Sequence, residues 1–243
     1  MNNFDPFADI EMTPVIDNNE VVPRSEATRS GGSAFEKITD KSLTWKSSTK
    51  CFNCYDRATK ETTAVDTKAE FIPLASSMSI EGSRQAGKQG TPSYRWIRLW
   101  SNEFLRTDED LVVVREKDPF EDQTTIIAEG LYKEVKEVTG PLSHATFTLN
   151  VYSLVRGTDD IVKFQFKGSS RELGFEITDR ENMSGKCFKL SGVEENTNGT
   201  IKFNKPLVEF SEITADEDQK ANILAQDIRE KLRKNQSNVK PSK

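Results

Sequence analysis

The sequence predicts a mainly β protein whose antiparallel strands are joined by tight turns, with one short internal helix and a longer helix at the C-terminus. From Leu43 onward apolar residues come in short runs separated by polar and glycine-rich breaks, the pattern of a β-rich domain. Two of these runs alternate. In 145–156, Phe147, Leu149, Val151 and Val155 form an apolar face, while Thr146, Thr148, Asn150, Tyr152 and Arg156 fall on the other. In 160–167, Val162, Phe164 and Phe166 oppose Lys163, Gln165 and Lys167, so each strand is expected to have one buried and one wet face.

The elements follow in order. Residues 1–33 mix Asn, Pro, Ser and Gly with acids and hold too little apolar material to offset the entropy of ordering them, so they read as a disordered acidic arm. Candidate strands are 43–54, 69–80, 94–104, 110–116, 124–134, 145–156, 160–167, 186–193 and 200–210. The stretch "EGSRQAGKQGTPS" between the second and third is basic and rich in glycine, and is expected to be a mobile loop. The turn "RGTDD" makes a hairpin of 145–156 and 160–167. A short helix follows, opened by Ser169 or Ser170 and closed near Gly185. The turn "ENTNG" then joins the last two strands. Strands, one intervening helix and a closing hairpin are the order of an OB-like barrel, placed at 34–211. The C-terminal helix, 212–236, has Thr214 as N-cap, acids in its first turn and bases in its last, matched to the helix dipole. Its narrow stripe of Ile223, Leu224, Ile228 and Leu232 is expected to dock on the barrel or on a partner. Residues 237–243 read as a flexible tail.

Composition limits the chemistry. The formal net charge of −5 and mean hydropathy of −0.64 argue against a globally basic nucleic-acid coat, so any anion-binding surface must be local. No apolar run approaches the roughly 20 residues that span a bilayer, and the start "MNNFDPFADI" is acidic, unlike a signal peptide. The chain reads as intracellular, in the host cytoplasm if it is viral. Cys51 and Cys54 in "CFNC" resemble half a zinc site, but only Cys187 and the single His144 remain to complete it and neither has ligand spacing. No metal and no cofactor is implied. The acidic clusters "TDEDL", "GTDD" and "VEEN" sit at turns and strand ends as solvated acids do. The sequence lacks "GxSxG" and "GxxxxGK[ST]", and the chain reads as non-enzymatic.

One stretch stands out. In "YRWIRLW", alternation gives Tyr94, Trp96, Arg98 and Trp100 one face and Arg95, Ile97 and Leu99 the other. If Ile97 and Leu99 serve the core, an aromatic row with a guanidinium in its middle faces outward. Such a row can stack bases and pair phosphates; the plain alternative is a second apolar layer from which Arg98 reaches solvent. Arg84 and Lys88 in the adjoining loop, Tyr152, Lys163 and Lys167 are further candidate contacts. At the N-terminus Phe4, Phe7 and Ile10 interleave with Asp5 and Asp9, a composition that suits either a docking peptide for replication or recombination proteins or a solubilising tail.

The order "FIPLASSMSIEG", "LWSNEF", "LVVV", "AEGLYKEV", "VYSLV", "VKFQFKGSS" and "FNKPLVEF" resembles bacteriophage replication-module proteins regarded as OB-fold single-stranded-DNA-binding proteins, over roughly residues 69–211. The most specific matches are "WSNE" at Trp100–Glu103, "GLY" at Gly130–Tyr132 and "QFKG" at Gln165–Gly168. The resemblance implies a non-enzymatic protein that protects and presents single-stranded DNA in phage replication or recombination. It carries Trp100 and Lys167 over as contacts. Single-strand binders of cells end in an acidic tail with a terminal Phe, whereas this chain ends "NVKPSK". The expected function is therefore single-stranded DNA binding without strong sequence preference. The alternative is a β-rich virion or scaffold protein whose aromatic row is a subunit interface. Either reading leaves room for a homo-oligomer; neither calls for a membrane.

Overall fold

The computed structural model describes residues 36–239 apart from 106, 108, 122, 123 and 180. The acidic arm, with Phe4, Asp5, Phe7, Asp9 and Ile10, lies outside the described residues, as do residues 240–243. In chain order the elements are β1 (Lys41–Lys46), β2 (Cys51–Asp56), β3 (Glu61–Ala64), β4 (Phe71–Ala86), β5 (Arg95–Ser101), β6 (Leu111–Lys117) and β7 (Thr125–Leu131). Then come α1 (Tyr132–Thr139), β8 (Ala145–Val155), β9 (Ile161–Phe166), α2 (Arg171–Ile177), β10 (Lys186–Asn198), β11 (Ile201–Glu212) and α3 (Ala215–Ser237).

The strands form one sheet in the order β3-β2-β1-β9-β8-β4-β5-β6-β7. Among the described residues, its only parallel neighbours are β1 and β9. The β10–β11 hairpin hangs from β4, where Phe188 pairs with Phe71. The end strands β3 and β7 do not meet, so the sheet is not closed into a barrel, in contrast to the sequence expectation. The outer edges of β9 and β6, which closure would join, are instead covered by β1 and β7.

Alternation assigns each strand an inner and an outer face. The inner face carries the main core, including Leu43, Phe52, Phe71, Leu99, Phe164 and Phe166, and edge-to-face ring contacts such as Phe71 with Phe164 at 4.9 Å tie it together. Helices α1 and α2 pack on this core through Val135, Leu173 and Ile177. Gly174 permits the approach of α2, because a Cβ there would lie 2.8 Å from the Phe166 side chain. Helix α3 lies on the outer face instead, where Ala221, Ala225, Ile228 and Leu232 bury against Ile72, Leu74, Tyr152 and Leu154. Its small residues allow close contact with β4. Thr214 caps it by accepting from Glu217 N, and the Glu217 carboxylate takes two hydrogen bonds from Arg156 at 2.8 and 3.0 Å.

Several expectations shift. The single candidate 43–54 is the β1–β2 hairpin, turned by Lys50 at φ 53°. Strand β3 was not foreseen, since "ETTA" has no apolar run to mark it. The first half of the glycine-rich loop is strand: β4 continues to Ala86, and Gly87 at φ 77° starts the turn into β5. Candidate 124–134 ends at Leu131, and "YKEVKEVT" becomes α1 because Val135 and Thr139, four apart, both bury. Helix α2 stops at Ile177, short of Gly185. In α3 the stripe runs through Ala221 and Ala225, while Ile223 is 64% exposed. The chain at Val239 is buried, within the stretch read as tail.

Candidate nucleic-acid interface

The site is built by the register of three neighbouring strands. On one side of β5, β4 sets Glu81 opposite Trp100, Ser83 opposite Arg98 and Gln85 opposite Trp96. On its other side, β6 sets Arg115 opposite Trp100 and Lys117 opposite Arg98. Cross-strand partners share a face, and Ile97 and Leu99, only 5% and 1% exposed, point inward. Trp96, Arg98 and Trp100 therefore share the outer face with Arg115 and Lys117. The Arg98 guanidinium lies over the Trp100 ring at 5.7 Å, a cation–π contact made by an exposed side chain.

Charge is arranged differently on the two faces. Inward of the row, Arg84 donates to both Glu116 oxygens at 2.8 and 3.1 Å, and Arg95 donates to Asp118 at 2.7 Å. These bonds hold the Glu116 and Asp118 carboxyls below their ordinary range. On the outer face, Arg98 and Arg115 form no ion pair with a carboxylate among the described residues. Among the described residues, the hydrogen bond that Arg115 makes is a long one, 3.4 Å to the Val113 carbonyl. Arg98 stands directly opposite Lys117 in the ladder.

The other sequence-predicted contacts divide. Arg84 is on β4, on the face opposite the row, and is committed to Glu116. Lys88 is exposed in the β4–β5 turn, and Tyr94 immediately precedes β5. Lys163 is on the outer face but bonds Glu103 at 3.0 Å, and Lys167 follows β9 and opens the 3-10 turn before α2. Tyr152 is also on the outer face, yet α3 covers it to 3% exposure. Its hydroxyl donates to Glu103 at 2.8 Å, and burial, helped by that carboxylate, pushes its pKa well up. Tyr152 is a core residue with no ring face left to stack on a base, which corrects its place among the candidate contacts. Arg115 and Lys117 were missed. The signal was present in "VVVREK", where Val112 and Val114 alternate with Val113, Arg115 and Lys117, but it has meaning only once β6 lies beside β5.

Cys51 and Cys54 point to opposite faces of β2, and among the described residues no group of three His, Cys, Asp or Glu could hold a metal ion. No described helix is long and apolar enough to cross a membrane. A small apolar depression at an end of the core is lined by Phe52, Phe71, Phe164 and Phe188, and carries no catalytic pairing. No protein-family model, curated protein or solved structure matches the chain.

Proposed function

We propose that the β5–β6 outer face binds single-stranded DNA, by stacking bases on Trp96 and Trp100 and pairing phosphates with Arg98, Arg115 and Lys117. The observation that carries this reading is the convergence of two tryptophans and three cations on one face of two adjacent strands. Base stacking is worth about 1–3 kcal/mol per base and tolerates any sequence, while phosphate pairing supplies salt-dependent affinity. In this reading the protein covers single strands and presents them to replication or recombination enzymes, as the resemblance to phage single-strand binders implies.

Strand order supports it. Read from β4, the path β4-β5-β6, then α1, then β8 and β9, with β8 returning beside β4, follows an OB-type Greek key carrying an extra strand before its helix. In that correspondence β5 and β6 are the second and third strands, whose face is the one OB folds use for oligonucleotides. The barrel is opened in this reading by β1 and β7 at its seam. A second reading, a virion or scaffold subunit, draws on Phe120, Ile126, Leu131 and Val138, which are 43–66% exposed in and around β7. Titration of the tryptophan fluorescence with oligo-dT, beside a duplex of equal length, separates the two. Single-strand binding quenches at low concentration with little response to duplex. Self-association across a dilution series, without any oligonucleotide response, would support the subunit reading.

A further inference from the structure

The row that crosses β4, β5 and β6 at Trp100 is asymmetric. On one side the indole is flanked by Glu81 and on the other by Arg115, each directly opposite it in the ladder. Strands lie about 4.8 Å apart, so acceptor, aromatic ring and cation follow one another at the spacing of base edge, base and phosphate. In the next row, Ser83, Arg98 and Lys117, the β4 position is again without a cation, with Arg98 on β5 and Lys117 on β6. Phosphates are therefore drawn to the β6 side, and the edge of a base stacked on Trp100 is turned toward β4.

The Glu81 carboxylate meets that edge. Its Oε1 accepts from Gln165 Nε2 at 2.9 Å and from Ser79 Oγ at 3.4 Å. These bonds tie the carboxylate to its own strand and, across β8, to β9, and Oε2 has no hydrogen bond among the described residues. An ionised carboxylate can only accept. Cytosine offers it the N4 amino group, whereas thymine presents the O4 carbonyl at the same place.

We propose that Glu81 reads the base stacked on Trp100 and favours cytosine over thymine. This rests on the single-stranded DNA reading, and adds to it a fixed strand orientation and a base preference at one subsite. The test is paired titration of the full chain with oligo-dC and oligo-dT of equal length, at mildly alkaline pH where cytosine stays unprotonated. The wild type is expected to bind oligo-dC roughly tenfold more tightly. In Glu81→Gln, which keeps the size and can bond either base, the ratio falls to near one, with oligo-dT affinity unchanged or higher. Equal binding of both oligonucleotides by the wild type, or a preference that survives Glu81→Gln, overturns the role of Glu81 and leaves the stacking face standing. If neither oligonucleotide binds, the DNA reading falls and this inference with it.

Discussion

Two halves of the same sheet face make opposite use of similar residues. Under α3 the outward side chains are Tyr152, Leu154 and Ala75, and the charges around them are paired: Arg156 with Glu70 and Glu217, Lys163 with Glu103, and Lys220 with Asp159. Beyond α3, on β5 and β6, the outward side chains are Trp96, Arg98, Trp100, Arg115 and Lys117, and Arg98 and Arg115 have no carboxylate in reach among the described residues. Both halves follow alternation, interrupted in the covered half by the irregularity of β4 between Pro73 and Ala75. What separates the core Tyr152 from the half-buried Trp96 and Trp100 is whether a helix supplies cover and matching charge. An aromatic residue on an outward strand position is therefore no indication of binding until the neighbouring elements are placed.

The largest expected effect on this contrast is at Tyr152. Tyr152→Ala should destabilise the fold by roughly 3–5 kcal/mol, since it empties a packed site beneath α3 and leaves Glu103 short of a donor. Denaturant unfolding measures this directly, and an unchanged midpoint would mean that α3 does not cover the residue. Trp96→Ala and Trp100→Ala should each weaken oligonucleotide binding by roughly 1–3 kcal/mol while the thermal unfolding curve stays cooperative. Loss of that cooperative melt would make the open half a core as well, and the contrast would vanish.

A smaller, pH-dependent effect belongs to the covered half. Arg156, with the Thr214 backbone and hydroxyl, holds the Glu217 carboxyl at about 2, against an ordinary value of 4.5. A carboxyl depressed on folding contributes stability that is complete above its unfolded value and is lost as pH falls through the folded one. Attachment of the α3 N-terminus should therefore weaken between about pH 4.5 and 2. Hydrogen exchange of the first turns of α3 should report the loosening. Glu217→Gln should flatten the dependence, and a wild-type profile flat across that window would mean the bridge contributes nothing.

Much of the architecture was legible because burial is written in alternation. Phe147, Leu149 and Val151 announced β8, Phe164 and Phe166 announced β9, and Thr214 with Glu217 marked the start of α3. Where local pattern and tertiary context diverge, the sequence was silent. "YKEVKEVT" continues an apolar run and turns helical through its packing on β6 and β7; "ETTA" is an edge strand without an apolar run. At the site, alternation separated Trp96, Arg98 and Trp100 from Ile97 and Leu99. It could not show that Arg84 faces Glu116, that α3 covers Tyr152, or that β6 brings Arg115 and Lys117 beside the row. Each of these depends on the pairing of strands distant in sequence.

If the open half holds phosphates, Arg98 and Arg115 are the cations that no carboxylate among the described residues neutralises. Tryptophan quenching by oligo-dT across a series of salt concentrations, for the wild type and for the Arg98→Gln, Arg115→Gln double variant, tests their role. Trp45, buried with its indole N–H donated to the Asn204 carbonyl, should stay unquenched and leave a residual signal. The slope of log affinity against log salt should become shallower in the variant by about 0.7 for each phosphate left unpaired. Quenching at saturation should be preserved, because the tryptophans are untouched. A slope identical in the two proteins, or wild-type fluorescence that does not respond to single-stranded DNA, would refute phosphate pairing by these arginines.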